Sequence, residues 1–388
     1  MEAIEEVQRR RAEIVDVSLY IHRNPELAFE EHKAAERLAE WLAANGFEVE
    51  RGIANLPTAF RAICNGQSGG PTIALVAEYD ALAQLGHACG HNIIGTASAA
   101  AAIAMTVVLG RLSGRMVVLG TPAEEGGGGK VVLVERDALD GVDVAMMVHP
   151  GTRTRVVARA LACVTLEVEF SGKAAHAAAR PEEGINALDA LILSYNNINS
   201  LRQHLRSDAR IHGIITNGGE APNIIPARAS GRFLVRAEDD AYLDGLVEKV
   251  LGCFRAGAAA TGATFSYDLA DRRYSPMRSN SVLEEAFAAN LQTIGVTVHP
   301  ADRNRGFGST DMGNVSQVVP SIHPTIAIAP ESVTTHSPEF AAAAASTAGQ
   351  EALIAAAKAL AMTAVDLLSD AQLLARVKEE FARGAAVN

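Results

Sequence analysis

The sequence predicts an α/β protein whose catalytic domain is interrupted by a second, inserted domain. Continuous apolar strands alternate with helical segments in the first and last parts of the chain, as in sheets covered on both faces. From about Val164 the strands instead alternate apolar and polar residues, and the first pattern returns after Pro276. The length of 388 residues also favours two domains. We therefore predict a catalytic domain formed by 1–163 and 277–388, with 164–276 inserted.

The first part of the catalytic domain begins with a helical segment over residues 4–44 that breaks at Pro25. An Ala-rich apolar run, 96–110, predicts a buried helix. Strands are predicted at 47–53, 59–65, 72–78, 115–121 and 142–148, and the run 71–77 is nearly continuous in apolar residues.

The insert is expected to have the element order β-α-β-β-α-β, which is typical of a ferredoxin-like domain. Its predicted elements are a strand at 164–171, a helix at 184–205, strands at 211–216 and 227–236, a helix at 239–258 and a strand at 263–269. After it we expect a helix at 281–294, a glycine-rich loop including 306–311, a strand within 321–329 and a long helical stretch to the C-terminus. The small residues of the loop suggest that it lines a pocket.

The composition and charge of the chain argue against several classes of partner. The formal net charge is −11 and no basic face is clustered, so a nucleic-acid partner is not expected. Four cysteines without disulfide spacing favour a reduced, cytoplasmic protein, and the acidic, helical N-terminus does not resemble a signal peptide. The apolar run at 96–110 is short for a membrane span, so no membrane partner is expected either.

Side chains that bind divalent cations gather in four short segments. These are Gly86–Asn92 with Cys89 and His91, the pair Glu124 and Glu125, His149 in a His-Pro-Gly segment, and His336 in a His-Ser-Pro-Glu-Phe segment. Cys, His and Glu are ligands of borderline cations such as zinc. Three of the segments follow predicted buried strands, whose carboxyl ends commonly form a ligand site. The sequence therefore predicts a hydrolase site with two metal ions.

The ligands can be divided between the two ions. Cys89 can bridge them as a thiolate, because a bound metal lowers the pKa of a thiol. His91 and His149 can complete the first ion, and Glu125 and His336 can serve the second.

Glu124 is the remaining carboxylate, and we expect it to act as the general base that takes a proton from water and passes it to the leaving nitrogen. Asp80, at the end of a predicted strand, is a candidate to orient a metal-binding histidine. A phosphate loop around Gly129 and Lys130 is rejected, since the spacing of glycines and the residue after the lysine do not fit.

With these residues placed, the chain resembles peptidase family M20, the aminoacylase and carboxypeptidase type of metallohydrolase, nearly from end to end. The motifs that carry the resemblance, in family order, are His-Ala-Cys-Gly-His at 87–91, Glu-Glu-Gly-Gly at 124–127, His-Pro-Gly at 149–151, Ser-Gly-Lys-Ala-Ala-His at 171–176 and His-Ser-Pro-Glu-Phe at 336–340. The resemblance implies a mixed-sheet, zinc-peptidase-like catalytic domain. It also implies the same five ligands for a manganese or zinc pair, with Glu124 as base.

Within this family, Ala77–Leu82 and Gly86–Asn92 look most like the Cys-containing subgroup of aminobenzoyl-glutamate hydrolase subunits and the β-alanyl-lysine type of dipeptidase. Many members carry Asp where this chain has Asn92, which leaves the transfer of a substrate from the family open.

The resemblance also gives the insert a role as lid and dimerisation domain. In the family, a histidine matching His176 reaches the active site of the partner in a homodimer and polarises the scissile carbonyl. Asn223 and Arg236 match positions that hold a substrate carboxylate, for which an amide donor and a guanidinium fork are suited. His212 lies on the adjoining predicted strand and is a further candidate substrate contact.

The expected function is a metal-dependent amidohydrolase that cleaves the amide bond of N-acyl or aroyl amino acids with a free carboxylate. The alternative is a dipeptidase acting on aminoacyl-amino acids. A third hypothesis, a catalytically silent partner in a paired enzyme, remains because some members of the subgroup work as paired subunits.

Overall fold

A computed structural model describes residues 1–269, 272–300 and 308–385 of the chain. It divides into two units, each with its own hydrophobic core. The first contains the described parts of Met1–Arg159, Met277–Arg305 and Asp311–Asn388, and the second contains Ala160–Pro276 with a short segment ending at Thr310. Of the glycine-rich loop expected to line a pocket, the first two residues lie outside the described part of the chain.

The described helices are α1 (Glu2–Arg9), α2 (Arg11–Arg23), α3 (His32–Ala44), α4 (His91–Leu109), α5 (Gly129–Glu135), α6 (Ala187–Leu201), α7 (Asp240–Thr261), α8 (Ser281–Thr293), α9 (Met312–Val318), α10 (Pro338–Ala345), α11 (Thr347–Ser369) and α12 (Ala371–Ala385). The described strands are β1 (Glu48–Arg51), β2 (Phe60–Asn65), β3 (Gln67–Glu78), β4 (Ser113–Thr121), β5 (Val144–Met146), β6 (His149–Gly151), β7 (Ala162–Ser171), β8 (Arg210–Asn217), β9 (Arg228–Ala237), β10 (Thr264–Leu269), β11 (Ser321–Ile322) and β12 (Thr325–Ala327).

The first unit is built on a six-stranded mixed sheet with the order β1-β2-β4-β3-β5-β11. Strand β3 runs parallel to β4 and β5, whereas β2 runs antiparallel to β4, so the predicted mixed sheet is confirmed. Glu78 at the end of β3 pairs in register with Thr121 at the end of β4. The carboxyl ends of the three central strands therefore meet at one edge, where the predicted metal-binding segments begin.

Helix α4 lies in the core of this unit and is buried along most of its length. Its small side chains allow close packing, since a Cβ added at Gly95 would lie 2.6 Å from the carbonyl oxygen of Glu78. By length and composition alone, α4 and α11 could cross a membrane, yet most of their apolar residues are buried inside this fold. That burial is what core helices show, and it agrees with the buried helix expected after the Cys-His segment.

The second unit contains an antiparallel sheet with the order β10-β7-β9-β8. With α6 and α7, its chain order is β-α-β-β-α-β, as the alternating pattern predicts. Alternate residues of β7, from Val164 to Phe170, are buried on one face. There the ring of Phe170 packs with Phe254, and Phe254 meets Phe233 edge-on. Strands β8 and β10 form the two edges of this sheet.

Several boundaries differ from the expectation. The strand expected over 142–148 is only β5, which ends at Met146. His149–Gly151 instead forms β6, which pairs in parallel with β12. Helices α5 and α9 were not predicted, since each is short and begins just after a glycine-rich segment.

Candidate metal centre

The Cys-His segment connects β3 to α4 and depends on one glycine. Gly90 has φ +81°, a left-handed conformation that favours glycine, and it directly precedes the first turn of α4. A Cβ at this position would lie 2.7 Å from Cγ of Pro150. The close approach brings Cys89 and His91, on either side of Gly90, next to His149.

Two groups of potential ligand atoms share the Cys89 sulfur. In the first group, ligand atoms of Cys89, His91 and His149 lie within 4.8 Å of one another. In the second, those of Cys89, Glu125 and His336 do so. Sγ of Cys89 is 3.4 Å from Nε2 of His149, and Nε2 of His336 is 3.3 Å from Oε1 of Glu125. The five residues expected to be ligands are therefore adjacent.

Hydrogen bonds determine which imidazole nitrogens face the cluster. Nδ1–H of His91 donates to Oδ1 of Asp80 at 2.9 Å, and Nδ1–H of His149 donates to the carbonyl of Pro150 at 2.6 Å. Both Nε2 atoms thus face the cluster and offer a lone pair once they are deprotonated, as metal binding requires. Within the described residues, Nε2 of His91 and Oε1 of Glu125 are buried without a hydrogen-bond partner. Buried acceptors of this kind fit a bound cation.

The Glu124–Glu125 segment follows β4 and is held through its backbone. The amide of Glu125 donates to Oδ2 of Asp80 at 2.9 Å. The amide of Ala123, which has φ +61°, donates to Oε1 of Glu31 at 2.9 Å. The amides of the residues on both sides of Glu124 therefore donate to buried carboxylates.

Glu124 lies beside the ligand cluster. Its carboxylate, with ligand atoms of His91 and Glu125, forms a third group within 4.8 Å. Burial and the negative charges of Glu78 and Asp311 raise the pKa of Glu124 well above its usual range. A carboxylate in such a place readily holds a proton, as a general base must during part of its cycle.

A buried charge triad lies behind the cluster, and the sequence reasoning missed it. Nζ of Lys130 is 2.6 Å from Oε1 of Glu78 and 2.6 Å from Oδ1 of Asp311, and all three side chains are inaccessible to solvent. Burial opposes the charge of Lys130, but the two carboxylates outweigh it and raise its pKa. Oε2 of Glu78 reaches to 3.7 Å from Nε2 of His91. A lysine inside the apolar run of α5 was the signal that could have revealed the triad.

His323 is a second residue that the sequence reasoning missed. Its ring meets that of His149 edge-on, with centroids 5.4 Å apart. Burial, followed by the neighbouring His149, lowers the pKa of His323 to about 3, so it is neutral. The His-Pro dipeptide at 323–324 repeats that at 149–150 and was the available signal.

His336 reaches the cluster from the C-terminal part of the chain. Its amide donates to the carbonyl of Ala88 at 3.0 Å, which ties its loop to the Cys-His segment. Ser337 then caps α10 by accepting from the amide of Phe340. His336 has φ +60°, and the carboxylate of Glu125, 3.3 Å from its Nε2, raises the pKa of its imidazole.

The expected substrate-binding residues lie in the second unit. His176 and Asn223 lie on neighbouring extended segments, because the amide of Ala177 donates to the carbonyl of Asn223 at 3.0 Å. Both side chains are exposed. Nδ1 of His176 accepts from the amide of Ala179 at 3.2 Å, which fixes the direction of the ring.

Arg236 and His212 lie on adjacent strands of the same sheet. His212 on β8 pairs with Leu234 on β9, two residues before Arg236, so the two side chains share one face. Partial burial and then the charge of Arg236 lower the pKa of His212. The second unit thus presents two pairs of polar side chains at the predicted positions.

The chain is similar in sequence and in fold to known proteins. The family model described as "Peptidase family M20/M25/M40" matches residues 75–364. A mouse protein named Xaa-Arg dipeptidase is 40% identical over 97% of this chain and 93% of its own length. One of the subunits of the p-aminobenzoyl-glutamate hydrolase of Escherichia coli is 37% identical over 76% of this chain and 64% of its own length. A solved dinuclear metal-binding peptidase from Bacillus subtilis shares the fold, with a TM-score of 0.72, 20% identity and coverage of 93% and 99%.

Proposed function

Because the chain belongs to peptidase family M20/M25/M40, we propose that it is a metal-dependent amidohydrolase that releases an amino acid with a free carboxylate. Hydrolysis of amide or peptide bonds is the activity of its family and of its named relatives. The observation that carries the proposal is the Cys89 sulfur shared by two groups of ligand atoms, the arrangement that a pair of ions requires.

Cys89, His91 and His149 would hold the first ion, and Cys89, Glu125 and His336 would hold the second. The mixed thiolate, imidazole and carboxylate set suits zinc or manganese. When bound, two such cations acidify a water molecule and polarise the scissile carbonyl. The hydrogen bond from His91 to Asp80 orients one ligand before any ion arrives.

We propose that Glu124 is the general base. Its carboxylate removes a proton from the attacking water and returns it to the nitrogen of the leaving amino acid, so the net reaction adds one water across the amide bond. The support is its place in the third group of ligand atoms while five other residues fill the ligand roles.

For the second unit we propose the family's roles, with His176 polarising the scissile carbonyl and Asn223, Arg236 and His212 contacting substrate. A homodimer is part of this proposal. It is supported by the exposed apolar side chains of Ile214 and Ile215 on the edge strand β8, 62% and 41% accessible.

Two substrate classes compete. The name of the mouse relative supports a dipeptide, with arginine on the carboxyl side. The name of the Escherichia coli relative supports an aroyl amino acid. Since the mouse protein is similar over nearly the whole of both chains, dipeptides with a basic C-terminal residue are the first substrates to test.

The deciding experiment joins metal analysis with a substrate panel. Metal content is measured by mass spectrometry on the purified protein, and hydrolysis is followed on dipeptides and N-acyl amino acids. Two ions per chain and release of a free amino acid are expected. Turnover of dipeptides but not acylated amino acids would select the dipeptidase. Two bound ions without hydrolysis of any amide in the panel would contradict the proposal.

The substitution Glu124→Gln separates an enzyme from a catalytically silent partner. We expect a loss of kcat of about 10²–10⁴-fold, the range for a general base, with metal content unchanged. Residual activity equal to that of the wild type would remove Glu124 from this role.

We also propose that the protein works in the cytoplasm. All four cysteines of the chain are free thiols, which is compatible with a reducing compartment.

A further inference from the structure

Glu31 is a buried carboxylate to which the proposed reaction gives no role. It directly precedes α3 and has no exposed surface. Oε1 accepts hydrogen bonds from the amides of Phe29 at 2.8 Å and Ala123 at 2.9 Å, and Oε2 accepts one from the hydroxyl of Thr58 at 2.9 Å. A single side chain thus connects the N-terminal segment to the segment that carries Glu124.

The two amides that meet at Oε1 belong to residues with unusual backbones. Phe29 has φ +66° and Ala123 has φ +61°, a region that costs a non-glycine residue about 1–2 kcal/mol. Such conformations persist when their surroundings fix them. Here both amides are fixed by the same oxygen, and the ring of Phe29 also packs on Gly127 in the loop after Glu124.

The contact acts at the residue next to the proposed base. Ala123 is held on its amide side by Glu31, and its carbonyl accepts from the amide of Gly128 at 3.0 Å. On the other side of Glu124, the amide of Glu125 is held by Asp80. With both neighbouring peptides fixed, the backbone of Glu124 has little freedom to rotate, and its side chain starts from one defined direction.

We propose that Glu31 is a positioning residue for the reaction, which fixes the amide of Ala123, the residue before Glu124, and thereby aims the Glu124 carboxylate. This rests on the proposed role of Glu124 as base. Glu31 is in none of the three groups of ligand atoms, so it acts through the backbone. A displacement of a catalytic group by about 1 Å is enough to reduce turnover by about 10²-fold.

Glu26 provides a matched control on the same segment. Its carboxylate also accepts two backbone amides, from Lys33 at 2.8 Å and from Ala34 at 3.1 Å, and it does not contact the Glu124 segment. Glu26→Ala therefore removes a comparable set of hydrogen bonds at the start of α3 without releasing Ala123.

The test compares Glu31→Ala, Glu31→Gln and Glu26→Ala with the wild type in the full chain. Glutamine can keep the contacts, with its oxygen toward the two amides and its NH₂ donating to Thr58. We expect Glu31→Ala to lower kcat by about 10–100-fold with KM within about twofold and metal content unchanged. Glu31→Gln should recover kcat to within about threefold, and Glu26→Ala should leave it within about twofold of wild type.

Amide hydrogen exchange of a peptide covering 122–127 gives a readout that does not need turnover. Exchange should be faster in Glu31→Ala than in the wild type and Glu31→Gln. An unchanged kcat in Glu31→Ala, or an equal loss in Glu26→Ala, overturns the inference. If Glu31→Ala does not fold, Glu31→Asp, one methylene shorter, supplies the same comparison.

The inference and the proposed function fail in different ways. A wild type that hydrolyses nothing in the panel refutes the proposed function, and hydrogen exchange then decides the inference alone. In that case, unchanged exchange at 122–127 in Glu31→Ala overturns it, and faster exchange supports it.

Discussion

Asp80 holds two parts of the ligand cluster through different oxygens. One accepts from Nδ1–H of His91 and the other from the amide of Glu125, each at 2.9 Å. Burial would raise its pKa, but the neighbouring His91, the amide of Glu125 and the charge of Lys130 together outweigh burial and lower the pKa of Asp80 to about 2. Asp80 is therefore ionised at any ordinary pH, and an ionised carboxylate can accept both hydrogen bonds.

Replacing Asp80 by asparagine should weaken metal binding. The amide has one oxygen, so either His91 or the Glu125 amide faces an NH₂ group and loses its acceptor. We expect metal affinity to fall by about 10–100-fold, measured by competition with a chelator. Asp143→Asn is the control, because Asp143 likewise accepts a backbone amide, from Thr72 in the middle of β3. Equal affinities of the two variants would show that Asp80 does not orient the ligands.

At the scale of elements, the turn between β3 and α4 depends on Gly90, and Gly262 offers a comparison. Both have left-handed backbones, with φ +81° and +77°. A Cβ on Gly90 would meet Pro150, whereas one on Gly262 would meet no atom within 4 Å.

Gly262→Ala should therefore lose only about 1–2 kcal/mol of unfolding free energy, from the backbone conformation alone. Gly90→Ala should lose more and should also bind less metal, because Pro150 must move together with His149. Urea unfolding and metal analysis of both variants test this. A normal metal content in Gly90→Ala would mean that the turn adapts without moving the ligand.

The triad of Glu78, Lys130 and Asp311 ties β3, α5 and α9 together inside the first unit. Lys130→Met would leave two buried carboxylates without their cation. We expect a loss of about 3–5 kcal/mol in unfolding free energy, measured by urea unfolding. The exposed Lys33→Met should change stability by no more than about 0.5 kcal/mol. If Lys130→Met lost no more stability than Lys33→Met, water or a proton would have to replace the lysine cation between the two carboxylates.

At the scale of the whole molecule, Glu31 links folding to pH. Burial, and then the charge of Asp80, raise the pKa of Glu31 from its usual 4.5 to about 7. Below pH 4.5 the side chain is protonated in both folded and unfolded chains. Between pH 4.5 and 7 only the unfolded chain ionises fully, so stability decreases as pH rises, by about 3 kcal/mol in total.

This dependence is measured as the difference in unfolding free energy between the wild type and Glu31→Gln, at pH 5 and pH 8. Metal-free protein keeps metal loss out of the comparison, and titrations common to both proteins cancel. The wild type should lose stability relative to the variant at the higher pH. A constant difference would mean that Glu31 is ionised in the folded chain at both values.

Much of the fold and of the ligand cluster follows from local pattern. Apolar runs predict β3, β4 and β5, and the segments after them carry Cys89, Glu125 and His149, so a shared sheet edge brings these residues together. The charge triad could not be predicted, because Lys130 and Asp311 are 181 residues apart and the pairing depends on how two unpredicted helices pack. The hydrogen bond between Glu31 and Ala123 could not be predicted either, since Ala123 lies 92 residues further along the chain.

His336 also has a consequence for biosynthesis. On the proposed ligand set, a ribosome must translate the entire second unit and most of the first before the last ligand emerges. A nascent or truncated chain that ends before this residue offers Cys89 and Glu125 without their third partner. Loading of the second ion would therefore mark a chain translated past His336, and fragments that end earlier would lack it.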